Sequence, residues 1–396
     1  MLKKVAFLSL PLLLLAQNGL ISKLKEQEIA LDKKKSIVEA KILHDSWINP
    51  INMQYTYQKG DQYPNQLFKS FSIQVDQPIF KSGGIYKAIL YANAKKRSAL
   101  FGVQSKEKSY VFRYIRLALQ YKQLKLSFKK QKLLIENAKL DILIKKDQYL
   151  HGEIDSTFLD NAILNKNRLA IALIDLEDKL QQTKKEIKNI SDLDPDSAQI
   201  PRFTLIQRAE FLQKNLSLKQ SQADIEANKN YAYMSIARYL PSLSLFANYN
   251  SQKMQGSLYV PGYKYSDSYK TYGFRISMPL FDINALRNIE SAKIDYLKSK
   301  NRLLQLMREK RNFYKSSLHS LKLLDKKIAL TKEDLGLYEG LLKDTQDRLE
   351  AGEKTKYDVQ IMQNSLKTKE LDLKIFDTQK QIILSQLYQE ISDEKI

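Results

Sequence analysis

Two runs of apolar residues that recur every seven positions constrain this chain more than any other feature. Each run has six members, and each member of the second run lies 200 positions after its counterpart in the first. The first run is Tyr114, Tyr121, Phe128, Ile135, Ile142 and Tyr149; the second is Tyr314, Leu321, Ile328, Leu335, Leu342 and Leu349. A heptad sustained this long is typical of a coiled-coil seam. It predicts two long helices, over about 85–150 and 285–350, each a rod of roughly 100 Å at about 1.5 Å rise per residue.

Turn-forming residues also recur in the second half of the chain, about 200 positions after their counterparts in the first half. Three pairs occupy matching places: Pro50 and Pro241, Pro78 and Pro279, and Gly152 and Gly352. The second and third pairs are 201 and 200 positions apart. Self-similarity at a fixed period predicts one plan written twice. We expect a first repeat at 17–193 and a second at 206–396, joined by a proline-containing surface linker at 194–205.

Four shorter helical stretches accompany the long ones, at 20–46, 154–191, 206–238 and 354–391. In each repeat, the two short stretches together are about as long as the long helix, at about 1.5 Å per residue. The sequence therefore predicts that pairs of short helices stack end to end along each long helix.

The chain begins with a pattern typical of an export signal. Lys3 and Lys4 precede an apolar run from Val5 to Leu15, and polar residues follow Ala16. The run is too short for the roughly 20 residues that span a bilayer as a helix. Residues 1–16 are therefore predicted to be a cleaved signal peptide.

Four segments between the helices alternate apolar and polar residues, with Phe246 as the one exception. The apolar members are Ile51, Met53, Tyr55 and Tyr57; Phe71, Ile73 and Val75; Leu243, Leu245, Ala247 and Tyr249; and Tyr272, Phe274, Ile276 and Met278. Alternation predicts strands with one apolar face. An ordinary antiparallel sheet covered by helices is one interpretation. Membrane-spanning strands, which have about 9–11 residues, are the other.

If the strands span a membrane, several chains must share one barrel. Four strands cannot close a barrel, since known membrane barrels have at least about eight, and lipid does not tolerate an open sheet edge. Three copies would supply twelve strands, with polar residues facing a water-filled lumen. Those residues include Gln54, Gln74, Asn248 and Arg275.

The duplicated plan resembles the TolC family of outer-membrane efflux and secretion channels. The resemblance covers essentially the whole chain after the signal peptide. Four kinds of short marker carry it, each present in both halves: the prolines that enter and leave the strands, the heptad helices, and a glycine at each hairpin end. The most telling segments are Trp47-x-x-Pro50 and Tyr239-Leu240-Pro241-Ser242, Gln77-Pro78-Ile79-Phe80 and Met278-Pro279-Leu280-Phe281, and Tyr149-x-x-Gly152 and Leu349-x-x-Gly352.

This resemblance implies a mixed α+β membrane protein. A homotrimer would form a twelve-stranded β-barrel in the outer membrane of a Gram-negative bacterium, continuing into a coiled-coil α-helical barrel in the periplasm. It also implies a periplasmic adaptor, an inner-membrane transporter and outer-membrane lipids as partners, and a passive exit duct for drugs or other small molecules. The exit duct of a type I protein secretion system is an alternative, as is a periplasmic coiled-coil protein without a pore.

The resemblance further implies roles for residues at the hairpin ends. Gly152, Glu153, Gly352 and Glu353 correspond to the adaptor-docking tips. The periplasmic entrance constriction maps onto Asp358, with Ile361 at the family's second acidic position. Thr157 and Lys354 match the family's closing contacts in type, whereas Phe158 and Leu349 replace polar partners.

No sequence feature indicates catalysis, a cofactor or a bound metal. The chain has no cysteine, its three histidines are scattered, and it lacks phosphate-binding, dinucleotide-binding and nucleophile-elbow motifs. The net charge of +21 raises polyanions as partners, which leaves an exported polyanion-binding protein as a rival. Because the basic residues alternate with acidic ones along the predicted rods, a solvated coiled-coil surface is favoured and a nucleic-acid partner is not expected.

Overall fold

The computed structural model describes residues 19–60, 66–196, 200–256 and 262–392. The predicted signal peptide, 1–16, lies outside these residues. The first half contains α1 (Lys23–His44), β1 (Asn52–Gly60), β2 (Gln66–Phe80), α2 (Gly84–Leu150) and α3 (Ser156–Lys188). The second half contains α4 (Arg208–Lys214), α5 (Leu216–Ala237), β3 (Ser242–Gln255), β4 (Lys264–Ser277), α6 (Ala285–Glu350) and α7 (Lys356–Gln389).

The two long helices, α2 and α6, occur as the heptads predict, with 67 and 66 residues. The first two members of each apolar run are the most deeply buried, with Tyr114 fully enclosed and Leu321 nearly so. The exposure of the runs rises toward Tyr149, which is 45% exposed. In the described part of the chain, no helix is both long and apolar enough to cross a membrane.

The predicted helix over 206–238 is divided into α4 and α5 at Asn215, which has extended backbone torsions. Asn215 is fully buried and forms an isolated antiparallel bridge with Ile391, just after α7. Its side-chain amide lies 3.3 Å from Oε2 of Glu390, which also accepts a hydrogen bond from Nζ of Lys310 at 2.5 Å. The backbone at Asn215 thus pairs with the end of α7 instead of continuing the helix.

The described chain divides into two compact units, each built from both halves of the sequence. The first unit contains 19–30, 103–216 and 307–392, and the second contains Leu31–Gly102 and Ser217–Leu306. The sequence repeats at 17–193 and 206–396 remain a prediction about the chain's plan, because the spatial units follow a different division.

An apolar core holds the first unit together. Its larger cluster joins α2 to α3 and α7 through residues such as Phe112, Ile187 and Leu384. A smaller cluster surrounds Phe211 of α4, whose side chain is fully buried against Tyr314.

The end of the predicted linker, 194–205, and the residue that follows it help to form this core, although the sequence suggested a surface connection. Phe203 and Ile206 are buried, at 3% and 6% exposure. The amide of Gln381 holds the backbone of Phe203 in both directions, accepting from its N–H at 2.7 Å and donating to its carbonyl at 3.3 Å. The Tyr314 hydroxyl donates to the carbonyl of Ile206 at 2.7 Å. Where the chain enters the second half, Phe203 and Ile206 are therefore packed and hydrogen-bonded.

The second unit contains one antiparallel sheet with the strand order β1-β2-β3-β4. The strands have 9, 15, 14 and 14 residues, so three of them exceed the predicted length. β2 is longer because it continues past Pro78, where the register shifts by a bulge. Such an irregularity accommodates a residue that cannot donate to the ladder. The alternation in the sequence gives this sheet one largely polar face and one largely apolar face.

A carboxylate in the first unit is the centre of a small charge cluster. Glu28 accepts hydrogen bonds from Lys106 at 2.6 Å and from Lys25 at 2.8 Å, and the Tyr110 hydroxyl lies 3.3 Å away. These contacts connect α1 to α2. The hydrogen bond from Lys106, followed by that from Lys25, lowers the pKa of Glu28 from 4.5 to about 2.

This lowered pKa predicts a pH-dependent stability difference between Glu28→Gln and the unaltered protein. A depressed carboxyl pKa contributes stability that is fully present above about 4.5 and is lost as the pH falls toward about 2. We expect Glu28→Gln to melt at a lower temperature at pH 7 and the difference to vanish near pH 2. Thermal unfolding followed by circular dichroism at several pH values measures this. Glu39→Gln, which removes an exposed partner 3.8 Å from Lys35, is the control; an equal effect of both substitutions would contradict the prediction.

Candidate functional site

The two helical hairpins of the first unit end in turns of the same conformation. The first tip, residues 151–155, joins α2 to α3, and the second tip, residues 351–355, joins α6 to α7. Gly152 and Gly352 have φ values of +73° and +79°, the left-handed region that side chains with a Cβ disfavour. A Cβ added to either glycine would meet no atom within 4 Å. Glycine is therefore needed for its backbone conformation and not for space within the chain.

Both tips close the preceding helix with the same pair of backbone hydrogen bonds. In the first tip, Gly152 N–H donates to Tyr149 and Glu153 N–H donates to Gln148, at 3.0 and 2.9 Å. In the second tip, the corresponding bonds from Gly352 and Glu353 are 3.1 and 2.9 Å long. This is the Schellman arrangement, in which a left-handed residue satisfies the last carbonyls of a helix. The glycine and glutamate predicted to dock an adaptor are exposed in both tips.

The helices that leave the tips begin with side-chain caps, which the sequence analysis did not identify. Asp155 caps α3 by accepting from the backbone N–H of Thr157 at 3.0 Å. Thr355 caps α7 in a reciprocal capping box with Asp358. The Thr355 hydroxyl accepts from Asp358 N–H at 3.2 Å, and the Asp358 carboxylate accepts from Thr355 N–H at 2.9 Å. The order Thr-x-x-Asp at 355–358 was the available signal.

Asp358 is thus committed to a local structural contact within its own chain. Partial burial opposes its ionisation, but hydrogen bonds from the Thr355 backbone and the positive charge of Lys354 outweigh this effect. The pKa of Asp358 therefore lies below its usual value, and the carboxylate is ionised at neutral pH. Each chain therefore has one ionised carboxylate, that of Asp358, fixed by hydrogen bonds at the start of α7.

The other predicted entrance residues lie close to the tips but do not form one network in a single chain. Thr157 is bound to Asp155, and Phe158 is 57% exposed in the first turn of α3. The carbonyl of Ile361 accepts from the Asn137 amide at 3.3 Å, which fixes that part of α7 against α2. Lys354 is exposed in the second tip, and Leu349 is half-buried at the end of α6. Among the described residues, no hydrogen bond or ion pair joins Thr157 or Phe158 to Lys354 or Asp358.

The described residues contain no group of three or more histidine, cysteine, aspartate or glutamate side chains arranged to hold a metal ion. The chemistry available at the tips is therefore that of exposed charges, apolar side chains and tight turns. These are features suited to contact with another protein.

Comparison with known families identifies the second half of the sequence. Residues 206–391 match the model of the family described as outer membrane efflux protein. A comparison with curated protein sequences finds no match.

Comparison with solved structures covers nearly the whole chain. The chain is similar to the outer membrane protein VceC from Vibrio cholerae, with a TM-score of 0.70, 15% identity and 93% of each chain covered. It is also similar to the outer membrane channel CmeC of Campylobacter jejuni, with a TM-score of 0.72, 12% identity, and 97% of this chain and 87% of that one covered. The MtrE outer membrane channel of Neisseria gonorrhoeae gives a TM-score of 0.61 at 11% identity, covering 92% and 85% of the two chains. The mixed fold, a four-stranded sheet with long helical hairpins, is the fold of these proteins.

Proposed function

We propose, from the match of residues 206–391 to the outer membrane efflux proteins and from the fold shared with solved outer membrane channels, that this chain is a member of that family and forms the passive exit duct of a tripartite efflux pump. The family is one of ducts and not of enzymes. In this proposal the protein lies in the outer membrane, and its helical hairpins form the periplasmic part of the channel. In this proposal an inner-membrane transporter supplies the energy, and the exported compounds are small molecules.

The open sheet of the second unit is the observation that carries this proposal. Within the described chain, β1 and β4 each have one edge without a partner strand. The apolar face is uncovered, with Met53, Tyr272 and Phe274 71%, 83% and 69% exposed. A lipid-facing sheet cannot leave its backbone edges unpaired, so it must close with strands of other copies. Three copies would give twelve strands, within the range of known membrane barrels.

The first unit has exposed apolar residues that also favour assembly. Leu323, Leu330 and Leu337 repeat at seven-residue intervals along α6 and are all exposed in the single chain. On α3, Leu164 and Ile171 have the same spacing and are likewise exposed. Heptad-spaced apolar residues without a partner in the chain fit the seams of a larger helical assembly. A homotrimer would cover both these seams and the sheet edges.

The tips are the proposed contact with a periplasmic adaptor. Gly152 and Gly352 present backbone at exposed, Cβ-free turns, and Glu153 and Glu353 place a carboxylate beside each turn. The open space around both glycines supports this assignment, since it permits another protein to approach the backbone closely. Because the two tips share one hydrogen-bond pattern, we propose that the same kind of adaptor surface recognises both.

The entrance constriction is proposed at the start of α7. In a trimer, three Asp358 carboxylates would lie near one axis and attract cations. Ile361, Phe158 and Leu349 would add apolar contacts to the closed state, with Thr157 and Lys354 as the polar members. The ionised state of Asp358 supports this proposal, although the capping box gives the same carboxylate a structural task.

The pore proposal predicts long-lived conductance steps when the purified protein is added to planar lipid bilayers. Mass measurement in detergent is expected to give three chains, because the open sheet edges require other copies. A monomer without conductance would instead favour a periplasmic coiled-coil protein without a pore. Salt-sensitive binding to nucleic acid or lipopolysaccharide by such a monomer would favour the polyanion-binding alternative.

The docking proposal predicts that Gly352→Glu abolishes efflux while leaving the trimer in the outer membrane. Gly352→Ala is the matched control, since it has the same backbone strain, about 1–2 kcal/mol, without a bulky side chain. We expect the alanine variant to retain most efflux. Drug sensitivity, membrane location and trimer content of both variants, and of the Gly152 pair, measure this. Normal efflux with glutamate at position 352 would contradict docking at the second tip.

The entrance proposal predicts different effects of Asp358→Asn and Thr355→Ala. The asparagine keeps an oxygen that can accept from Thr355 but removes the charge, so block by hexaamminecobalt(III) added from the periplasmic side is expected to weaken. Thr355→Ala keeps the charge but removes the cap, at a cost of about 1 kcal/mol in α7 stability. Block should then persist while hydrogen exchange in the first turn of α7 accelerates. Unchanged block in Asp358→Asn would show that this carboxylate does not line the constriction.

A further inference from the structure

Phe246 breaks the alternation of β3 and places an aromatic ring on the polar face of the sheet. It lies opposite Gly273 on β4 and opposite Asp76 on β2. A Cβ added to Gly273 would lie 3.2 Å from Cζ and 3.3 Å from Cε1 of the Phe246 ring. Glycine at 273 therefore makes the space in which the ring rests on the sheet. Phe246 and Gly273 therefore pack as a pair on this face.

An arginine lies over this ring and reaches across the sheet. Arg275 is opposite Ser244, one row from Phe246, and its guanidinium carbon lies 4.9 Å from the ring centroid. Its Nη1 forms an ion pair with Asp76 on β2, so the side chain crosses the whole width of β3. Neighbouring strands lie about 4.8 Å apart, and the crossing therefore spans about 10 Å. Cation–π contact and ion pairing both hold the guanidinium in one place.

A cleft of about 330 Å³ opens beside this group. Three amide side chains form a row across neighbouring strands at its wall, because Asn52 is opposite Gln74 and Gln74 is opposite Asn248. Pro50 and the Phe246 ring add apolar surface. The cleft thus combines a fixed cation, several amide groups and an apolar wall.

The guanidinium retains hydrogen-bond donors that Asp76 does not use. Of its five N–H donors, one on Nη1 donates to Asp76. Within the described residues, Nε and Nη2 of Arg275 have no hydrogen-bond partner, and the side chain is 55% exposed. An Nε and Nη2 edge matches the two oxygens of a carboxylate.

We propose that this cleft binds small organic carboxylates, with the carboxylate on the free edge of Arg275 and the apolar body of the molecule against Phe246 and Pro50. The proposal rests on the proposed function, in which the polar face lines the lumen and exported solutes pass the cleft. Phe246 is a positioning residue for the guanidinium and a contact for the apolar part of the solute. The neighbouring Asp76 carboxylate offsets much of the positive charge, so binding is brief, as a conduit requires.

The test measures block of ion current through the channel in planar bilayers by two probes of equal charge. Benzoate has an apolar ring and acetate has almost none, so benzoate is expected to block at about tenfold lower concentration, a factor equivalent to about 1.4 kcal/mol. Arg275→Gln should raise the blocking concentration of benzoate by about tenfold, since a charge-assisted pair is lost. Phe246→Ser, which restores the polar alternation, should remove the advantage of benzoate over acetate.

Lys270→Gln is the matched control, because Lys270 is on the same strand but opposite Tyr249, on the other face of the sheet. Its block by benzoate should equal that of the unaltered protein. Equal block by benzoate and acetate, or unchanged block in Arg275→Gln, would overturn the site. If Arg275→Gln does not form channels, Phe246→Ser tests the site instead. Loss of the advantage of benzoate over acetate in this variant would support the site, and an unchanged advantage would overturn it. Failure of the unaltered protein to conduct would instead count against the pore itself.

Discussion

Unpaired backbone hydrogen-bonding groups at the two edges of the sheet constrain the structure of this protein more than any other feature. A sheet with the order β1-β2-β3-β4 ends in two strands that each have one free side in the described chain. In water such edges invite aggregation, and in lipid they are not tolerated. Neither β1 nor β4 contains a proline, a residue that would protect a strand edge. Open edges and an exposed apolar face are what one element of the proposed larger, closed assembly would have, and the exposed heptad leucines of α6 fit the same proposal.

Several buried hydroxyl groups on α7 find their hydrogen-bond partners within the same helix. On α7 the buried hydroxyls of Thr368, Thr378 and Ser385 donate to carbonyls three or four residues earlier in the same helix. Buried polar groups that are satisfied in this way cost little and need no partner on another helix. Contacts such as the pair between Lys130 and Asp372, at 2.7 Å, then link neighbouring helices at separate points. Small polar side chains in a seam also let helices approach closely.

The sequence predicted the large elements well because their signals are local and repeated. The heptads and the glycine at each tip located α2 and α6 to within about one residue. The break at Asn215 could not be predicted, since neither glycine nor proline marks it and the bridge to Ile391 is 176 positions away. The role of Phe246 was invisible for the same reason, because it depends on Gly273 across a strand pair. The caps at Asp155 and Thr355 were predictable from short patterns, whereas the contacts of the tips with other chains require the partners themselves.

The break at Asn215 also addresses a weakness of any heptad rod. A seam that repeats every seven residues looks almost the same after one helix slides by seven residues, about 10.5 Å, along another. Apolar burial alone would leave such slipped alignments close in energy. Asn215 interrupts that translational degeneracy, since its buried bridge and the Lys310 and Glu390 pair can be satisfied in only one alignment. A single buried polar residue is known to specify helix alignment in this manner. The irregularity thus fixes the alignment of α6 and of the junction between α4 and α5 relative to the end of α7.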